Sequence, residues 1–157
     1  ILQNNIEVTD IGINGKMNEI QAAIGLLQLN YVDAIIDERK EQSSKLKSLL
    51  SSKYGLIYPS SIDQIVRYNY AYFPMIVTKN YPLTRDALFL KLKKNKINAR
   101  RYFYPIIPEF KAFKNLYHLS GDDTLPVSKL LSEQILCLPI YPGLNIDKLI
   151  ESLDKLL

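Results

Sequence analysis

The sequence predicts an α+β layer, with helices on one side of a small antiparallel or mixed sheet. Three observations carry this. Segments of helical period and segments rich in β-branched and aromatic residues are mixed along the chain, without the strict alternation of a doubly wound sheet. Internal repeats, low-complexity tracts and Gly/Ser linkers are absent from the sequence. The 157 residues are 47% hydrophobic and 23% charged, which excludes a disordered, collagen-like or disulfide-scaffold chain. A chain of this length buries roughly 68–70% of the surface it exposes when unfolded.

Residues 1–17 read as loop, with a short strand around Ile6–Val8 and a tight turn through Gly12 and Gly15. Asn18 opens a helix, and Gln21 three positions later completes a capping-box spacing. Ile20, Ala23, Ile24, Leu27, Tyr31, Ile35 and Leu46 follow at drifting helical intervals. The expectation is one long helix to about Ser51, closed by Tyr54-Gly55. Leu56–Tyr58 is a short strand ended by Pro59. Asn69–Thr78 carries the strongest strand signal, and Pro74 inside it predicts an edge position or a bulge. Thr84 caps a helix to about Asn95, and Ile97–Phe103 is the next strand. Phe110–Tyr117, Pro126–Ile135 and Ile146–Leu157 read as helices, with Leu136–Ile140 extended between the last two.

The net charge is +4, enough to attract a phosphate group but not to imply nucleic acid. One cysteine, Cys137, suits a reducing compartment, and its apolar neighbours predict a core position. No apolar run reaches the roughly 18 residues a membrane helix needs, and no signal peptide is read. A start at Ile1 with a polar stretch after it is read as a cut inside a longer protein.

Two segments draw attention as chemistry. In Gly12-Ile13-Asn14-Gly15-Lys16 a glycine-containing loop delivers a helix N-terminus, whose N–H groups and dipole favour a phosphate. On the loop alone, turn formation is the better reading, and neither glycine spacing matches a P-loop or a dinucleotide fingerprint. Lys16 reads as an exposed lysine, since nothing near it would hold it neutral. The second segment runs from Lys91 to Tyr104 and joins four lysines and two arginines to three aromatics. Strand alternation points Arg100 and Tyr102 one way and Arg101 the other, and one face is a reasonable ligand wall. His118 stands without a second histidine or a cysteine pair, which argues against zinc. Asp122-Asp123 reads as a helix-entry or loop pair rather than a metal site.

The block from Gly12 to Leu29 resembles the G-x-N-x-x-M-x-E-x-Q-A-A-x-G-x-x-Q-L signature of the DegT/DnrJ/EryC1/StrS family. Tyr70–Pro74, Ile97–Pro105 and Leu136–Pro142 agree in order, so the resemblance covers nearly the whole chain but only the family's C-terminal half. The resemblance implies a fold-type I α/β aminotransferase, a cytoplasmic homodimer using pyridoxal 5'-phosphate on a nucleotide-linked keto-sugar. It implies that residues 1–53 end the large domain, with a long interface helix, and that 54–157 form a small α+β domain. It implies cofactor binding by Asn14, reaching the phosphate of the other subunit, and substrate contacts from Arg100, Arg101, Tyr102 and Tyr104. The family's cofactor-bearing lysine follows Ser and His upstream of the G-x-N block, and this sequence has no such motif, so the chain alone is expected to be inactive. Many members carry a histidine shortly after the Y-x-P element, where this chain has Ile106-Ile107-Pro108. The alternatives are a non-catalytic binding or regulatory module of the same fold, a gene remnant, and an RNA-binding α+β domain.

Overall fold

The computed structural model describes residues 2–3, 7–8, 15–59, 67–102, 104–110 and 125–157. It divides into two compact units, Ile1–Asp33 and Ala34–Leu157, a division earlier in the chain than the 53/54 domain boundary of the sequence reading.

In the first unit, β1 (Leu2–Gln3) and β2 (Glu7–Val8) pair antiparallel, with Leu2 opposite Val8. Helix α1 (Glu19–Leu29) starts at Asn18 with the predicted capping box. The Asn18 side chain accepts from the Gln21 N–H at 2.8 Å, and the Gln21 side chain accepts from the Asn18 N–H at 3.2 Å.

The single long helix of the sequence reading is corrected: α1 ends at Leu29 and α2 (Val32–Ser51) is a separate helix. At the break the Asn30 N–H donates to the Leu27 carbonyl and the Tyr31 N–H to that of Gln28, tightening the last turn. Asn30, Tyr31 and Val32 are all modest helix formers, so the local cost of breaking there is small. The drift in apolar spacing marks this break, because two helices carry two registers.

The second unit has one core. Sheet order is β3 (Leu56–Ile57), β4 (Phe73–Val77), β6 (Ile135–Leu138), β5 (Arg100–Arg101), with every neighbour antiparallel. Phe73, Met75 and Val77 share a face with Leu136 and Leu138. That face packs against Leu46 and Leu50 of α2, Leu88 and Leu92 of α3 (Arg85–Lys94), and Ile146, Leu149 and Leu153 of α5 (Ile146–Leu156). Helix α2 buries Gln42, Ser43, Leu46 and Leu50, a stripe of helical spacing. The Gln42 amide donates to the Tyr141 carbonyl at 3.0 Å, and Glu38 accepts from the Gly143 N–H at 2.6 Å, fixing the loop before α5.

Helix α2 ends as predicted at a glycine turn. Gly55 has φ +82°, and a Cβ there would lie 2.5 Å from the Tyr81 backbone nitrogen. Thr84 caps α3, its hydroxyl accepting from the Ala87 N–H at 3.2 Å, and Asn145 caps α5 by accepting from Lys148 at 3.0 Å. Helix α4 (Pro126–Gln134) runs directly into β6.

The strand readings were longer than the strands. Asn69–Thr78 contracts to Phe73–Val77, because the Asn69 side chain accepts from the Ala71 N–H and Tyr70 adopts φ +49°, so a local turn outcompetes the ladder. Ile97–Phe103 contracts to Arg100–Arg101, with Phe103 outside the described residues. Strand β4 is interior, against the edge prediction for Pro74, yet the ladder explains the residue. Leu56 pairs with Val77 and Ile57 with Ile76, which would set Pro59 opposite Pro74, but β3 stops at Ile57. Position 74 is therefore a local edge on that side, where no N–H is required. Ile107–Glu109 is a single 3-10 turn, and residues 111–117 of the predicted Phe110–Tyr117 helix lie outside the described residues.

Candidate functional site at the α3–β5 corner

The four residues expected to contact substrate do not form one wall. Arg101 pairs with Leu136 in register, which turns it to the helix-covered face of the sheet. There its guanidinium carbon lies 4.7 Å from the centroid of Phe89 on α3 and 5.9 Å from that of Tyr104. Its Nη1 lies 3.5 Å from Oδ1 of Asp86.

Arg85 reaches the same place from the start of α3. It shares the helix's apolar stripe with Leu88 and Leu92, and its side chain is 3% exposed. Arg85 Nη1 donates to the Ser132 carbonyl at 2.7 Å, and its guanidinium carbon lies 4.6 Å from the Tyr104 ring centroid. Arg85 Nε lies 2.8 Å from Asp86 Oδ1, close enough for an ion pair but without the alignment of a hydrogen bond. Two guanidinium groups therefore share one carboxylate and one aromatic ring. With two cations and one anion the cluster keeps a positive excess, and Arg101 and Tyr104 remain accessible at its rim, 40% exposed for the Arg101 side chain.

Arg100 pairs with Cys137 and belongs to the opposite face, with Pro74. Tyr102 follows it there: its ring meets Tyr72 edge-on at 5.2 Å. Tyr68 and Tyr70 make a second edge contact at 4.9 Å, and the Tyr68 hydroxyl donates to the Tyr72 carbonyl at 3.1 Å. Burial raises the Tyr68 hydroxyl above its ordinary pKa. Cys137 is buried as predicted; burial pushes its thiol up to about 11, opposed by the nearby charge of Arg100. Alternation along β5 thus separates Arg101 from Arg100 and Tyr102, as the sequence predicts.

Asn14, the expected cofactor contact, lies outside the described residues, as do His118 and Asp122-Asp123. The start of α1 that follows Asn14 is described. The capping box occupies the Gln21 N–H, the Ala22 N–H already bonds the Asn18 carbonyl, and Glu19 sets a negative charge in the first turn of α1. Lys16 is exposed. Among the described residues no cluster of three or more His, Cys, Asp or Glu could hold a metal, and no helix is long and apolar enough to cross a membrane. A groove of about 740 Å³ between the end of α2 and β3 includes none of the predicted site residues, and its Lys53 is paired with Asp154 at 2.8 Å.

Sequence reasoning missed Arg85, Asp86, Tyr68 and Tyr72. One signal was readable: positions 85, 88 and 92 fall on one helix face, and an arginine on an apolar stripe requires a partner.

A small α+β unit with a basic, aromatic corner belongs to a known setting. The model of the DegT/DnrJ/EryC1/StrS aminotransferase family matches residues 2–156, and the chain belongs to that family. It is 38% identical over 157 residues to a dTDP-4-amino-4,6-dideoxy-D-glucose transaminase of Escherichia coli, covering 99% of this chain and 41% of that protein. A GDP-perosamine synthase of Vibrio cholerae is 28% identical over 143 residues, 90% of this chain and 37% of its own length. Among solved structures, an aminotransferase from Psychrobacter cryohalolentis shares the fold at TM-score 0.79 and 22% identity, over 94% of this chain and 40% of that one. A family aminotransferase from Brucella abortus matches at TM-score 0.71 and 26% identity, over 95% of this chain and 38% of that one. The chain thus spans about two fifths of the length of the relatives it matches.

Proposed function

We propose that this chain is the C-terminal portion of a pyridoxal-phosphate-dependent aminotransferase that moves an amino group from glutamate to a keto-sugar carried on a nucleotide. The observation that carries the reading is the family match over residues 2–156, joined to two relatives at 38% and 37% identity, both named dTDP-4-amino-4,6-dideoxy-D-glucose transaminase. Those names favour a deoxythymidine-diphosphate sugar keto group as acceptor. The cofactor supplies the electron sink when bound; the protein's part is to bind, orient and control protons. The whole enzyme is read as a cytoplasmic fold-type I homodimer. Residues 1–53 close its large domain and 54–157 make its small domain. Asn14 is assigned to the cofactor phosphate of the other subunit, and Arg100, Arg101, Tyr102 and Tyr104 to the nucleotide-sugar.

The positive excess at the α3–β5 corner supports the assignment of Arg101, since an arginine fork suits diphosphate oxygens. The edge-on tyrosine pairs on the Arg100 face support a nucleoside surface there. The test is amino transfer by the full-length protein from glutamate to a dTDP-linked 4-keto-6-deoxy sugar, read by mass spectrometry as replacement of the carbonyl oxygen by an amino group. Transfer with glutamate and none without it is the expected result; no product with any nucleotide-linked keto-sugar would overturn the reading.

A further inference from the structure

Arg85 occupies a position where the fold alone favours an apolar residue. It continues the stripe of Leu88 and Leu92 and is 4% exposed. Leucine there would avoid the desolvation of a cation, which is expensive even when the charge is paired. The arginine instead holds the backbone where α4 meets β6 and also reaches two neighbours at the rim. Nη1 is anchored on the Ser132 carbonyl at 2.7 Å, at the end of α4. The guanidinium stacks on Tyr104 at 4.6 Å, and Nε faces Asp86 Oδ1 at 2.8 Å. That same oxygen faces Arg101 Nη1 at 3.5 Å, and Arg101 also stacks on Phe89 at 4.7 Å.

We propose that Arg85 is a positioning residue for substrate: anchored on Ser132, it holds the Tyr104 ring and, through Asp86, fixes the pose of the Arg101 guanidinium for the phosphates of a nucleotide-sugar. This rests on the functional reading above. A long arginine at a rim loses rotamer freedom when it grips a phosphate, and a prior grip on Asp86 and Phe89 removes part of that cost before binding. Asp86 cannot do this alone, because its carboxylate is 55% exposed and, among the described residues, is held only by the two arginines. Arg85 never touches the substrate in this account; it acts through Tyr104 and Arg101.

The test uses the full-length protein with R85L, R85K and D86N, measured against both substrates. R85L completes the apolar stripe, so a purely structural role predicts unchanged KM values. The expected result is a rise of about tenfold in KM for the dTDP-keto-sugar with KM for glutamate unchanged, as loss of one charge-assisted contact would give. R85K, which keeps the charge and the Ser132 anchor, recovers part of the loss. Unchanged KM for the sugar in R85L, or an equal rise for both substrates, overturns the proposal. If R85L does not fold, D86N decides: a selective rise for the sugar supports the proposal and none overturns it. Absence of transfer by the unsubstituted protein overturns the functional reading, and this inference with it.

Discussion

Arg85 and Arg101 meet at one atom: Oδ1 of Asp86 lies 2.8 Å from Arg85 Nε and 3.5 Å from Arg101 Nη1. The buried arginine comes from the first turn of α3 and the rim arginine from β5, so this carboxylate ties a helix start to an edge strand. Replacing Arg85 by alanine leaves the Ser132 carbonyl without this donor and opens the stripe beside Leu88. Urea unfolding of R85A is expected to show a loss of roughly 2 kcal/mol or more, the range for a buried charge-assisted hydrogen bond. A loss below about 0.5 kcal/mol, the usual size of a surface change, would contradict the buried placement.

Gly55 is a position where no other residue fits. Its φ is +82°, and an added Cβ would meet the Tyr81 backbone at 2.5–2.7 Å, which cannot yield as a side-chain tip does. Gly55→Ala is expected to cost roughly 3 kcal/mol or more and to lower Tm accordingly. A near-neutral result would mean that the turn between α2 and β3 is formed differently.

Phe73 lies at the centre of the core, 0% exposed and stacked on Tyr58 at 5.0 Å. Phe73→Ala is expected to cost about 3–5 kcal/mol in chemical denaturation.

The Cys137 thiol, pushed up to about 11 by burial, makes two predictions. Thiol reagents should not label it at neutral pH in the folded protein and should label it at once in denaturant, because the thiolate is the reactive form. The unfolded thiol ionises near its ordinary value of 9.0, below the folded one. The neutral-thiol contribution is therefore intact below about pH 9 and is lost as pH rises through 11. Between those values roughly 2–3 kcal/mol of stability should disappear, and Cys137→Ser should remove most of that pH dependence.

Much of the second unit was legible in the sequence because its signals are local. Thr84 and the start of α4 at Pro126 mark helix starts, and Gly55 marks the turn that follows α2. Pro59 and Pro74 mark where the β3–β4 ladder stops. The break at Asn30–Tyr31 was legible only as a drift in apolar spacing, since none of its residues is a strong helix breaker. The corner was half legible. Alternation separates Arg101 from Arg100 and Tyr102, but the partners of Arg101 come from residues 86 and 89, and no spacing rule connects a helix start to a strand in another part of the chain. The turn over residues 69–71 was hidden inside a window whose aromatic and β-branched residues favour a strand, a preference that a single Asn69 side-chain bond overrides locally.

The measurement that bears most directly on the central claim is the intact mass of the native polypeptide in its source cell. The account predicts a mass well above the 18.1 kDa of these 157 residues, because the relatives extend far beyond the region matched. It also predicts an absorbance from a lysine-bound cofactor in the purified protein. A native polypeptide of 18.1 kDa with no such absorbance would contradict the reading of this chain as one part of an aminotransferase.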